Sequence, residues 1–105
     1  MGILIFVTCK NSAEARKIAL ALLRKKLVAC ANIVPKIESH YLWKSKIEKS
    51  KEALLILKTR KGLRKKVEAE IKKMHSYELP VIEFIEVKTG KEVEKWVEGE
   101  TGKEK

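Results

Sequence analysis

The stretch LVACANIVPKI, Leu27–Ile37, is an apolar, strand-like run with a proline in it. Proline has no N–H to give to a ladder, so a strand that contains Pro35 lies at the edge of its sheet or is bent there. On its N-terminal side, GILIFVTC, Gly2–Cys9, is a continuous apolar run rich in Ile, Val and Phe. It reads as a central strand covered on at least one face. Between the two runs, Ala15, Ile18, Ala19, Leu22 and Leu23 recur at helical spacing and form one apolar stripe. Asn11 or Ser12 can cap this helix, with Glu14 reaching back toward its first turn. Arg24, Lys25 and Lys26 close it against the negative end of the dipole.

On the C-terminal side of Val28–Ile37, SHYLWKSKIEKS reads as an extended hairpin segment with Tyr41 and Trp43 on one face. Lys51–Thr59 encloses ALLIL, a second strongly apolar strand. Thr59 is expected to cap a helix whose inner face is Leu63, Val67, Ile71 and Met74, with Lys65, Lys66, Lys72 and Lys73 toward solvent. HSYELP is a connector, because Pro80 opposes helical continuation. A last strand, Val81–Val87, turns at Thr89-Gly90 into a short helix expected to hold Val93, Trp96 and Val97 inward. The polar stretch 99–105 is expected to fray.

Strand, helix, strand, strand, helix, strand and a terminal helix make the split βαβ order. This predicts an α+β, ferredoxin-like fold: an antiparallel sheet with helices on one face, plus a short C-terminal helix. The first and third strands then pair centrally and the second lies at an edge, in agreement with Pro35. The 105 residues suffice for one domain, 1–105, and are too few for two. Helices cover only one sheet face, and the hairpin exceeds a tight connection, so another subunit is expected to cover the rest in a closed homo-oligomer.

Composition narrows the partners. All 14 acidic residues are Glu, Lys outnumbers Arg 20 to 4, and Gln is absent. Lys and Glu enrichment with few thermolabile amides is the compositional signal of hyperthermophiles, which predicts a thermophilic source. A net charge of +10 draws anions of any kind. Lysines spread over two helix faces without interleaved aromatics read as a solvated surface, which argues against nucleic acid as a partner. The opening MGILIFVTCK has no basic n-region and its apolar run is short, so no signal peptide or membrane span is expected. Phe6 breaks the myristoylation pattern. A cytoplasmic location with free thiols follows as the expectation.

Most ferredoxin-like chemistries lack their residues here. Cys9 is not followed by a second cysteine at metal-transport spacing, VTCKNSAEAR has no glycine to open a phosphate loop, and ALLIL has no aromatic for base stacking. Dinucleotide and Walker glycine patterns are missing from the chain. With two histidines, His40 and His75, and no Asp, a Ser-His-Asp triad is impossible, and the Glu residues lie mostly on lysine-rich faces. A non-enzymatic protein is expected. Cys30 on its own reads as a small buried hydrophobe. His75, at a helix end in a polar connector, reads either as a metal ligand or as a C-cap group bonding the last helix carbonyls, while His40 reads as a hairpin surface residue.

The motifs L-V-A-C-A-N-I, Y-x-W-x-x-K-I-E, E-x-x-L-I-L-K-T and H-x-Y-E-x-P-x-I occur in this order, within a span from Ile3 to about Trp96. In this the sequence resembles the CutA (CutA1) divalent-cation tolerance proteins. The resemblance implies a PII-like ferredoxin fold assembled as a homotrimer, a cytoplasmic role in divalent metal tolerance, and copper(II) binding, with no metal needed for folding. The family's cysteine falls on Cys30 and its histidine on His75, and Tyr77, Glu78 and Pro80 match the rest of the second motif. Ser76 stands where the family usually has proline, and Lys44-Ser45 where it commonly has a glycine. Copper(II) favours imidazole with nitrogen and oxygen neighbours, so His75 and Glu78 rank above Cys30 as ligands. The alternative implied is a PII-like sensor that binds an anionic small molecule in intersubunit clefts lined by Tyr41, Trp43, Lys58 and Tyr77.

Overall fold

The structure, a computed structural model, describes residues 2–102. Its elements are β1 (Gly2–Cys9), α1 (Ser12–Arg24), β2 (Cys30–Trp43), β3 (Lys46–Arg60), a 3-10 turn (Lys61–Leu63), α2 (Arg64–Met74), β4 (Ile82–Val87) and α3 (Lys91–Glu100). The sheet order is β2-β3-β1-β4 and every pairing is antiparallel. This is the expected ferredoxin-like α+β sheet, with β1 and β3 central and the proline strand at an edge.

Alternation along β1 fixes the two faces. Ile3, Ile5, Val7 and Cys9 are buried, and across the ladder they meet Thr59, Leu57, Leu55 and Ala53 of β3. Onto this layer α1 brings Ala15, Ile18, Ala19 and Leu22, and α2 brings Val67 and Ile71. The opposite face, Leu4, Phe6, Leu54 and Ile56, stays half-buried. At one end of that face α3 packs Val93 and Val97 over Lys58, Arg60 and Val87. Only Val97 is buried, whereas Val93 and Trp96 are 39% and 44% exposed. Val93 thus faces the sheet without being covered, and the inward placement expected for Trp96 fails.

The termini of α1 follow local chemistry. Asn11 Oδ1 accepts the Glu14 N–H at 2.9 Å, and Glu14 Oε1 accepts the Lys10 N–H at 2.9 Å, a variant of the capping box whose return bond falls one residue before the N-cap. At the other end the Leu27 and Lys26 amides bond the Leu22 and Leu23 carbonyls, with Lys26 at φ 59°. That is a Schellman ending with lysine in the position glycine prefers.

Three expectations change. The hairpin strands run longer than their expected bounds: β2 continues past Ile37, and β3 begins before Lys51, as a two-stranded ribbon reaching Trp43 and Lys46, closed by Lys44 and Ser45 at φ 52° and 66°. Because both ribbon faces meet solvent, its residues show no core-directed alternation to read. Thr59 does not cap a helix; it is the last buried residue of β3, and its hydroxyl donates to Leu27 O at 2.7 Å. Of the polar stretch 99–105, Gly99 and Glu100 complete α3 and Thr101 is buried, its Oγ1 accepting from Arg60 Nε at 3.1 Å. Residues 103–105 lie outside the described residues.

Pro35 sits where the ribbon leaves the body. Between the pairs Val34↔Leu54 and Ile37↔Glu52, β2 spends two residues against one on β3, a bulge that accommodates the missing N–H. Beyond it the ribbon stretches the molecule to 50 Å along its longest axis.

Candidate metal centre at the end of the first strand

Where β1 ends, three elements converge. Cys9 closes β1, Glu14 lies in the first turn of α1, and His75 terminates α2. Their Sγ, carboxylate and imidazole ligand atoms all lie within 4.8 Å of one another. Cys9 and Glu14 are buried and His75 is half-buried.

Two of the three groups, His75 and Glu14, are held by the backbone. His75 Nε2 lies 2.8 Å from Thr8 O, and Nδ1 accepts the Tyr77 N–H at 3.1 Å. A carbonyl only accepts and an amide only donates, so Nε2 carries the hydrogen and Nδ1 the lone pair. The ring therefore bonds β1 and its own connector, not the last carbonyls of α2 as a C-cap histidine would. Glu14 Oε2 accepts the Ser76 N–H at 2.8 Å while Oε1 holds Lys10. Burial disfavours the charged Glu14 carboxylate, but the hydrogen bonds from Lys10 and Ser76 outweigh it and hold the group below the usual carboxylate range. Burial first, then the charges of Glu14 and Glu52, pushes the Cys9 thiol up to about 12. The free Cys9 is thus a neutral thiol.

Beside this trio the Tyr77 ring stands 4.7 Å from the His75 ring, centroid to centroid. Its hydroxyl donates to Glu52 Oε2 at 2.5 Å. Burial and this bond push the phenol above its ordinary value.

The residues singled out from sequence are dispersed. His75 joins the cluster; Glu78 is exposed and lines a shallow cleft with Glu68, Lys72, Tyr77, Leu79 and Pro80. Cys30 is half-buried on the opposite sheet face, paired with Lys58, and its Sγ lies 3.7 Å from Asn32 Oδ1. Tyr41 and Trp43 lie near the ribbon tip, opposite Glu48 and Lys46, far along β2 from the Cys30–Lys58 pair. A single chain therefore does not gather Tyr41, Trp43, Lys58 and Tyr77 into one pocket. Sequence reasoning missed Cys9, Glu14 and Glu52 as site residues. The Asn11-x-x-Glu14 cap was visible and signalled that Glu14 is held near the end of β1.

The donor set fits a divalent cation of borderline or soft character: thiolate and imidazole suit zinc and its neighbours, and the carboxylate adds charge. Taking an ion would require the Cys9 proton to leave and one His75 ring nitrogen to release its backbone partner.

Comparison with known proteins agrees with this architecture. Residues 3–100 match the family described as CutA1 divalent ion tolerance protein. A divalent-cation tolerance protein CutA from Archaeoglobus fulgidus is 43% identical over 95 residues, covering 90% of this chain and 92% of the relative. Its counterpart from Pyrococcus horikoshii is 36% identical over 102 residues, covering 96% of this chain and 99% of the relative. The solved structure of the Archaeoglobus fulgidus protein, described as periplasmic, superposes with a TM-score of 0.93 at 40% identity, covering 96% of this chain and 99% of that one. Against the longer plant and mammalian CutA proteins, such as those of rice and mouse, the chain spans about half of the relative's length, 50% and 48%. Among the described residues no helix is long and apolar enough to cross a membrane. With the fold matched over nearly its whole length, this chain belongs to the CutA1 divalent ion tolerance family.

Proposed function

We propose that the protein is a non-enzymatic, cytoplasmic homotrimer that binds divalent cations, copper(II) among them, and contributes to their tolerance. The observation that carries the reading is His75, a half-buried imidazole in the family motif with thiol and carboxylate donors beside it. Glu78 and Cys30 remain candidate ligands where a neighbouring subunit brings them near an ion. Assembly is supported by the open apolar sheet face and by a ribbon tip whose Leu42 and Ile47 are 72% and 79% exposed; such apolar surface is costly to leave in water. A thermophilic origin accords with the Lys and Glu composition, and a thermal midpoint above about 60 °C is expected.

Calorimetric titration with copper(II), on the wild type and on His75→Ala, tests the reading with the oligomer mass measured in parallel. Saturable binding that His75→Ala loses while the trimer persists is the expected result. A wild type that takes up no divalent cation overturns it.

A further inference from the structure

The net charge of +10 is concentrated in one layer of the molecule. Residues 12–26 and 61–74, which hold α1 and α2 with their flanking lysines, carry eleven of the 24 Lys and Arg but three of the 14 Glu. The remainder of the chain carries 13 against 11 and is close to neutral. Ion-pair networks of the thermophilic kind use both signs, so they do not account for an excess confined to two helices. Along the sequence these cations fall on two separate helix faces, but docking makes the faces one. Glu14 in the first turn of α1 bonds Ser76 just past the end of α2, and Lys25 at the end of α1 bonds Glu70 within α2. The two helices therefore lie side by side and antiparallel.

The buried stripes set what each helix turns away from the sheet. Opposite Ala15, Ile18 and Leu22, α1 presents Lys17, Leu20 and Arg24, and opposite Val67 and Ile71, α2 presents Lys65, Ala69 and Lys72. The carboxylates of this layer are already engaged: Glu14 is buried, Glu70 is shared by Lys25 and Lys73, and Glu68 meets Lys72. Among the described residues Arg16, Lys17, Arg24, Lys26, Lys65 and Lys66 have no carboxylate partner.

We propose that this two-helix face binds the phosphate backbone of duplex nucleic acid without reading its sequence. A helix of the length of α1 runs about 20 Å, over which a duplex presents roughly a dozen phosphate charges. Eleven cations match that density. The two segments contain no aromatic residue to stack on a base and no Asn or Gln to pair with adenine, so the backbone is the surface they fit. An anionic membrane fits less well. A helix lying in the lipid interface presents a row of large apolar residues, and among the described residues Leu20, 40% exposed, is the one such residue that α1 and α2 expose. The inference is independent of the divalent-cation reading.

Full-length protein is titrated into a fluorescent duplex of about 20 base pairs at about 50 mM salt and then at rising salt. Saturable binding is expected, equal for two duplexes of unrelated sequence, with log affinity falling linearly against log salt concentration. Lys17→Ala combined with Arg24→Ala and Lys65→Ala is expected to lower the salt slope by about three, one for each phosphate contact. Affinity at about 50 mM salt is expected to fall roughly tenfold or more. Lys88→Ala combined with Lys91→Ala and Lys95→Ala removes the same charge from the near-neutral part of the chain and is expected to leave slope and affinity unchanged. All six side chains are exposed, and circular dichroism confirms the fold of both variants. No saturable binding at about 50 mM salt, an equal loss in the two triple variants, or a preference for one duplex sequence overturns the proposal. Binding to phosphatidylserine vesicles by a protein that ignores the duplex also overturns it and assigns the face to a membrane. Copper(II) uptake bears on none of these outcomes, so the divalent-cation reading stands or falls separately.

Discussion

The Tyr77 hydroxyl donates to Glu52 Oε2 at 2.5 Å, joining the connector after α2 to β3 at the bulge where the ribbon leaves the body. Glu52 is 8% exposed, a carboxylate that the fold keeps from water. Buried charge is tolerated when it is hydrogen-bonded and is costly when it is not.

Removing the hydroxyl therefore strands the carboxylate. Tyr77→Phe is expected to destabilise the protein by about 1–3 kcal/mol, the cost of an unmade bond to a buried acceptor. Glu52→Leu in the Tyr77→Phe background is expected to cost less than the two single changes added together. Urea denaturation of the four proteins in the double-mutant cycle checks this, and additivity would show that the bond is energetically irrelevant.

Alkaline pH is expected to weaken the fold through Cys9. The thiol is raised from 9.0 to about 12 in the folded chain, first by burial and then by the charges of Glu14 and Glu52. A group whose folded value is raised contributes stability that is fully present below its unfolded value and is lost as pH rises toward the folded one. The window is thus pH 9 to about 12, with a slope of at most about 1.4 kcal/mol per pH unit for one proton. Cys9→Ala removes the group, so its stability relative to the wild type should improve between about pH 8 and about pH 10. Chemical denaturation at both pH values measures the difference; a constant gap would mean that the thiol titrates normally.

Three backbone positions, Lys26, Lys44 and Ser45, hold side chains at positive φ. Lys26 and Ser45 lie at φ 59° and 66°, where a Cβ is crowded and glycine is not. Lys26→Gly at the end of α1 and Ser45→Gly in the ribbon turn are each expected to stabilise by about 0.5–1 kcal/mol. A lowered denaturation midpoint in either variant would contradict the turn geometry.

Charge at the ribbon tip should break the proposed assembly without unfolding the chain. Leu42 and Ile47 face each other across the ribbon and are largely exposed in the single chain. Leu42→Lys with Ile47→Lys is expected to lower the mass seen by light scattering to that of one chain while circular dichroism stays unchanged. An intact oligomer would place the interface elsewhere.

The sheet and its two packed helices were legible because their periods are local. Odd positions of β1 and the Ala15, Ile18, Leu22 stripe of α1 each mark one buried face within a few residues of chain. The hairpin was legible as an extended segment, but the full paired length of the ribbon was not, since strands wet on both faces carry no such alternation. Nor was the exposure of Trp96, whose spacing matches a buried helix face. His75 was visible in the sequence, but it was grouped with Glu78, its neighbour along the connector.

By itself, then, the sequence determined the order of elements, the edge placement of the Pro35 strand, the α1 cap and the family. Those depend on period, proline chemistry and short-range hydrogen bonding, all of which act between neighbours in the chain. The company His75 keeps was decided only by the tertiary structure. Its ring bonds Thr8, 67 residues away, and Ser76 bonds Glu14 across 62 residues. Such contacts arise when helices and strands dock, and the packing that brings Cys9, Glu14 and His75 together is a property of the whole sheet-and-helix layer.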